Sequence, residues 1–158
     1  MHRPVHVIIG ANAALFFAST TYMIPLCAIM GAIGGYMPDF DLRFKHRKTL
    51  HNIFSLIIGA LILYILLSLA PIDLLHIYIW QLVLSFSIGW LLHIFCDGLT
   101  KRGVYLFWPF SNKSYGPKLF RSNSFTSIAL GFTIAFVILL SWLVYSGYIE
   151  LVLNILRG

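Results

Sequence analysis

The sequence predicts an all-α integral membrane protein of about five helices, an N-terminal hairpin of two short helices followed by three long transmembrane helices. Two observations carry this reading. The 158 residues are 59% hydrophobic and only 10% charged, with a mean hydropathy of +0.88, whereas a soluble domain carries about 25% charged residues. In addition, four stretches, 4–38, 49–72, 74–96 and 122–149, contain no Asp, Glu, Lys or Arg, and each is at least as long as the ~20 apolar residues that cross a bilayer as a helix. Such a composition excludes a water-soluble globule. No internal repeat or low-complexity linker divides the chain, which reads as one membrane-embedded domain over 1–158.

The first stretch, from about Val5 to Met37, is too long for one simple span. Polar Asn12, the run Ser19-Thr20-Thr21 and Pro25 interrupt it, so it reads as two short helices joined near 20–25. Met1 to Arg3 before an apolar run has the outline of a signal peptide, but the later spans anchor the chain in any case. A polar connection with Asp39, Asp41, Arg43, Lys45, His46, Arg47 and Lys48 leads to an apolar helix from about Leu50 to Leu69, and Pro71 and Asp73 mark a turn. A further long helix is predicted from Leu74 to Leu99. Segment 100–123 surrounds an aromatic cluster, Tyr105 to Phe110, with five basic residues, and belongs at the membrane interface or against the helix ends. The last helix is predicted from Phe125 to Ile149, with a short tail after it. Cys27 and Cys96 fall inside apolar stretches and read as small buried hydrophobes.

Orientation follows from the cations. Ten of the eleven basic residues lie at the N-terminus and in the two polar segments, and only Arg157 falls on the opposite side. The positive-inside rule makes the basic face, with the N-terminus, cytoplasmic, and puts the C-terminus across the cell (inner) membrane. The pI of about 9.6 is thereby a topology signal, and no nucleic-acid partner is expected.

Ionisable groups in or beside spans are costly, which makes them functional candidates. Three of the five acidic residues fall in two short motifs, Met37-Pro38-Asp39-Phe40-Asp41 and His93-Ile94-Phe95-Cys96-Asp97, and His46, His51 and His93 lie in or beside them. His93 and Asp97, four apart on a helix, share one face and suit one metal ion or two adjacent ones, and Thr100 continues that face. Asp39 and Asp41 alternate around Phe40, and two close carboxylates repel unless a cation lies between them. His46 and His51 are five apart, which suits a loop position followed by the first turn of a helix, with Thr49 as a candidate cap.

Topology tests this set independently. The helix starting near His51 and the helix ending at Asp97 form an antiparallel hairpin, so both motifs reach one membrane face, and Asp39 and Asp41 join them through a short loop. A continuous helix from residue 6 to 36 would hold His6 ~45 Å away at 1.5 Å per residue. For His6 to join, the chain must double back near Pro25 as a half-penetrating hairpin of helices only ~20 Å long. Mixed histidine and carboxylate donors without cysteine suit zinc, manganese or iron in a non-structural site.

At these residues the chain resembles the YdjM-like family of predicted membrane-bound, metal-dependent hydrolases. The family pattern is an early His, then Leu-Pro-Asp-x-Asp, then His-Arg-Gly-x-Thr-His-Ser, then His-x-x-x-Asp-x-x-Thr-x-x-Gly with a Leu-Trp-Pro ending. The counterparts here are His6, Met37 to Asp41, His46 to Asn52, and His93 to Gly103 followed by Phe107-Trp108-Pro109, so order and spacing hold over about 6–110. Two positions depart. The family Gly is Lys48, and its Thr-His-Ser is Leu50-His51-Asn52, so no role of that Thr or Ser carries over. The family is also similar, more remotely, to zinc-dependent phospholipases C and single-strand-specific zinc nucleases, which implies phosphoester hydrolysis by analogy.

Together these features lead to an expected membrane-bound hydrolase with two or three zinc ions, or Mn or Fe, cleaving a phosphoester in a lipid or lipid-linked molecule. His6, Asp39, Asp41, His46, His51, His93 and Asp97 are the expected ligands, with Asp39, His93 and Asp97 at the centre of the chemistry. Arg47, Lys48 and Arg102 are expected to hold phosphate oxygens, and Thr100 to support Asp97. The alternative is a non-catalytic metal-binding regulator or assembly factor. An ion transporter is disfavoured because the ligands gather at one interface instead of mid-membrane.

Overall fold

A computed structural model describes residues 2–43, 48–122 and 124–157. Among these it contains six α-helices: α1 (Arg3–Ala14), α2 (Met23–Tyr36), α3 (Ile53–Ser68), α4 (Asp73–Gly98), α5 (Phe125–Tyr145) and α6 (Tyr148–Arg157). A 3-10 turn, Leu15–Phe17, ends α1, and another, Met37–Arg43, continues α2. No strand occurs among the described residues, only isolated bridges.

The first stretch doubles back as its polar break requires. The chain leaves helical geometry after Phe17 and re-enters at Met23, with Pro25 in the first turn of α2, where a missing N–H costs nothing. At 12 and 14 residues, α1 and α2 are ~18 and ~21 Å long. Their far end is tied to α4 by a Tyr22–Tyr78 hydroxyl contact and by Gln81 Nε2 donating to Ser19 Oγ at 2.8 Å.

Backbone-to-backbone contact packs α1, α2 and α4 into the core. Built side chains at Gly10 and Gly31 would each strike the other's carbonyl, one at Gly89 would strike the carbonyl of Gly31, and one at Gly34 would strike that of Phe86. Lipid tails are as apolar as a side chain, so close van der Waals approach through small residues is what holds membrane helices together. Around these contacts lie Ala14, Met23, Cys27 and Leu82 at the far end, and Val5, Ile9, Cys96 and Ala135 nearer the N-terminus. α5 joins through Asn12 Nδ2, which donates to Ala135 O at 2.9 Å. α3 packs against α4 and exposes Ile57, Ile58, Leu61, Ile62 and Leu66.

Three expectations need correction. The helix predicted over 50–69 is Ile53–Ser68, 16 residues or ~24 Å, short of the ~30 Å hydrocarbon core. Among the described residues, its place among the three helices long and apolar enough to cross a membrane is taken by Met23–Phe40, beside His76–Gly98 and Phe125–Tyr145. The second correction concerns the last helix, which ends at Tyr145 and not at Ile149. Gly147, at φ +77°, adopts the left-handed conformation that closes a helix, and its N–H donates to Val144 O. The predicted tail is therefore a sixth helix, α6. Its Glu150 and Asn154 recur at helical spacing opposite Leu151, Val152 and Ile155, the pattern of a helix lying along an interface.

Segment 100–122 folds as a cap over the ends of α3 and α4. Val104 and Tyr115 exchange hydrogen bonds of 2.9 and 2.8 Å, Lys101 N donates to Phe120 O, and Ile53 N donates to Leu106 O. Val104 is buried against Phe86, Trp90 and Ile94. The segment thus lies against the helix ends, one of its two expected positions, while Phe107 and Phe110 stay exposed.

Candidate metal centre

Four elements bring five of the expected ligands into one buried cluster: His6 from α1, Asp39 from the 3-10 turn after α2, His51 from the segment before α3, and His93 with Asp97 from the end of α4. The glycine contacts set this geometry. A side chain at Gly35 would strike the carbonyl of His6, so the bare α2 backbone lets α1 lay His6 directly over α4. The His6 and His93 rings stack with centroids 3.8 Å apart, and His51 meets His93 edge-on at 5.1 Å.

His93 is the hub. Its Nδ1 donates to Gly35 O at 2.6 Å, a main-chain contact that fixes the ring's orientation and leaves the lone pair of a neutral ring on Nε2, the tautomer a metal ligand requires. Nε2 stands 3.8 Å from Asp39 Oδ1 and 3.9 Å from Asp97 Oδ2. Asp97 lies 3.2 Å from His6 Nε2 through Oδ1 and 3.5 Å from His51 Nε2 through Oδ2. Ligands at the ~2.05 Å Zn–N distance of a tetrahedral site stand ~3.3 Å apart, close to these separations. Two triplets, His6–His93–Asp97 and Asp39–His51–His93, have donor atoms within 4.8 Å of one another.

The polar bookkeeping points the same way. Eight buried side-chain atoms among the described residues have no hydrogen-bond partner, and six of them are here: both ring nitrogens of His6 and of His51, His93 Nε2 and Asp39 Oδ2. Buried polar atoms in native structures are nearly always satisfied, and one left unmade costs about 1–3 kcal/mol. Ring nitrogens gathered 3.2–3.9 Å from the two carboxylates fit donors converging on a shared cation.

His51 sits just before α3, not in its first turn. The cap is Asn52 instead of Thr49: its Oδ1 accepts from Ser55 N at 2.8 Å, while its Nδ2 donates to the carbonyls of Lys48 at 2.8 Å and Thr49 at 2.7 Å. One buried amide thus starts the helix and folds the preceding loop. Trp90 Nε1 adds a bond to Leu50 O at 3.0 Å, which clamps the His51 segment to α4. Thr100 Oγ1 donates to the main-chain carbonyl of Asp97 at 2.8 Å and finishes the last turn of α4.

The side chain of Asp41, and His46 and Arg47, lie outside the described residues. Lys48 leans on the cap and Arg102 belongs to it. The Lys48 ammonium sits 4.8 Å over the Tyr105 ring and 3.4 Å from Asn112 Oδ1, and Arg102 is exposed with its carbonyl accepting from Ser114 Oγ. Two contributors stand outside the predicted site, Asn52 and Arg3. Arg3 Nε is 3.9 Å from Asp39 Oδ2 while the side chain remains 55% exposed, a cation at the mouth of the cluster. Its signal in the sequence is its position three before His6, on the same helical face.

Neither the curated proteins nor the solved structures contain a match to this chain. The family model described as YdjM inner membrane protein matches residues 1–155, a description that agrees with three helices long and apolar enough to cross a bilayer. The chain therefore belongs to the YdjM inner membrane protein family.

Proposed function

We propose that the protein is a membrane-bound, metal-dependent hydrolase that cleaves a phosphoester of a lipid or lipid-linked molecule at the cytoplasmic face. The observation that carries the reading is the convergence of His6, Asp39, His51, His93 and Asp97 with six buried donor atoms lacking hydrogen-bond partners. The donor set suits zinc, with manganese or iron as close competitors. His6, His93 and Asp97 would hold one ion. The second triplet shares His93, and its Nδ1 is already bonded to Gly35. A second ion, held by Asp39 and His51, therefore needs further donors, the role proposed for Asp41 and His46.

A bound divalent cation supplies Lewis acidity and lowers the pKa of a water it holds. The chain supplies the rest. Asp97 stands beside both His6 Nε2 and His51 Nε2, the Gly35 carbonyl fixes His93, and Arg3 presents a guanidinium beside Asp39, where it would take a phosphate oxygen. Arg47, Lys48 and Arg102 are proposed to extend that anion-binding rim. Burial favours a second reading, because structural metal sites are closed and these five residues are at most 8% exposed. In that reading the metal only pins four polar helix ends together.

Purified protein distinguishes the two. The hydrolase reading expects at least one equivalent of transition metal by elemental analysis and turnover of a phosphodiester or phospholipid panel that Asp39→Asn abolishes. Metal without turnover above Asp39→Asn across the panel leaves the pinning role, and metal below one equivalent overturns both. Orientation has its own check. A reporter fused after residue 158 should signal from the side opposite the cytoplasm, and a cytoplasmic signal would contradict the assignment of the site face.

A further inference from the structure

A cavity of about 730 Å³ runs between α2 and α3 with α4 as its floor, a size within the ~300–1,000 Å³ range of ligand pockets. Its deep wall is Phe86 and Trp90, which are buried. Its rim includes Ile33, Ile58, Ile62 and Leu66, each at least 45% exposed on helices with no charged residue over those stretches. The rim therefore opens sideways into hydrocarbon.

Polarity along the cavity is graded. Thr49, Asn52 and Ser55 line one end together with Trp108 and Pro109 of the cap, and beyond Ser55 the α3 lining, Ile58 to Leu66, is wholly apolar. From Asn52 to Leu66 the groove follows ~21 Å of α3, more than the ~15 Å that half of a ~30 Å hydrocarbon core provides. The polar end abuts the candidate metal centre through three elements at once. Met37 stands two residues before Asp39, Leu50 and Asn52 flank His51, and Trp90 lies one turn before His93. Lys48, over Tyr105, adds a positive charge to the cap at that end.

We infer that this groove holds one acyl chain of an anionic glycerophospholipid, with the tail along α3 and the headgroup at the His51 end. The inference deepens the hydrolase reading by naming the class of molecule delivered to the site. A chain entering sideways from the bilayer needs no aqueous path, and a groove polar only at its site end fixes which end of the lipid reaches the metal centre.

The test uses full-length protein in phosphatidylcholine vesicles containing a small fraction of phosphatidylglycerol with a photoactivatable acyl chain, the crosslinks being mapped by mass spectrometry. Label should concentrate on Ser55, Ile58, Ile62 and Ile33. It should fall about tenfold, the equivalent of ~1.4 kcal/mol of binding, in the groove-filling double variant Ile58→Trp with Ile62→Trp. The phosphatidylcholine carrying the same photoactivatable chain should label less than phosphatidylglycerol, and Lys48→Gln should narrow that difference. Label spread evenly over the bilayer-facing residues of α3, α4 and α5 would overturn the inference, as would preferential capture of a photoactivatable isoprenoid phosphate. The map on the unaltered protein stands even where the double variant fails to fold. Asp39→Asn separates the two ideas: groove labelling that persists in this variant while turnover is absent from every protein supports the groove and counts against the hydrolase. Turnover by the unaltered protein without groove labelling does the reverse.

Discussion

His93→Ala should yield a protein that retains no stoichiometric metal and whose melting temperature no longer responds to metal or chelator. His93 meets all four of the other described residues of the cluster. Its ring stacks on His6 and touches His51, and its Nε2 faces both Asp39 and Asp97. Losing an outer partner of a metal ligand costs about 10–100-fold in affinity, and removing the ligand shared by both triplets should exceed that. The stability readout follows from linkage: at a free metal concentration ~1,000 times Kd, binding to the folded state alone contributes ~4 kcal/mol. Unaltered protein should lose that increment on chelation, while His93→Ala should have none to lose. Truncation also opens a cavity, at about 2–5 kcal/mol for large-to-small changes in a packed core. His93→Gln, which keeps more of the volume, therefore separates the effects by losing the metal response with a smaller drop in baseline stability. Unaltered protein that melts at the same temperature with and without metal would sink the metal centre.

Much of that side-chain cluster was legible because spacing and length are properties of the chain alone. The four-residue interval from His93 to Asp97 fixes a shared helical face, and the ~45 Å span of an unbroken helix from residue 6 forces a reversal, which the chain makes at 18–22. The start of α3 was not legible. Thr49 and Asn52 are both good caps, and the choice rests on tertiary bonds, Asn52 to the carbonyls of Lys48 and Thr49 and Trp90 to that of Leu50. Arg3 escaped for a related reason: a basic residue at an N-terminus looks the same as a topology signal until Asp39 is folded against it. The break that creates α6 was in the sequence as Ser146-Gly147, but the absence of charged residues as far as Ile149 masked it. Composition says where a chain is apolar; it says little about where its backbone turns.

The helix contacts behind the cluster give the other large expected effect. Gly89→Ala should destabilise the protein by about 2–3 kcal/mol, the scale of overpacking, and reduce its metal content in proportion. An added Cβ at Gly89 would run into the carbonyl of Gly31 and lie 2.9 Å from Gly35 N, main-chain atoms of α2 that no rotamer change can move aside. Relief requires α2 and α4 to separate. Separation pulls the Gly35 carbonyl away from His93 Nδ1, so the hub loses its fixed orientation although no ligand has been altered. Gly98→Ala on the same helix is the control, since its Cβ would find only Val104 Cγ2 at 3.7 Å, an ordinary contact. Intrinsic helix propensity favours alanine over glycine by ~1 kcal/mol in a helix interior, so propensity alone would make Gly89→Ala stabilising. A stability curve and metal analysis for both variants therefore decide whether the centre depends on the approach of α2 to α4: equal behaviour at 89 and 98 would mean that it does not.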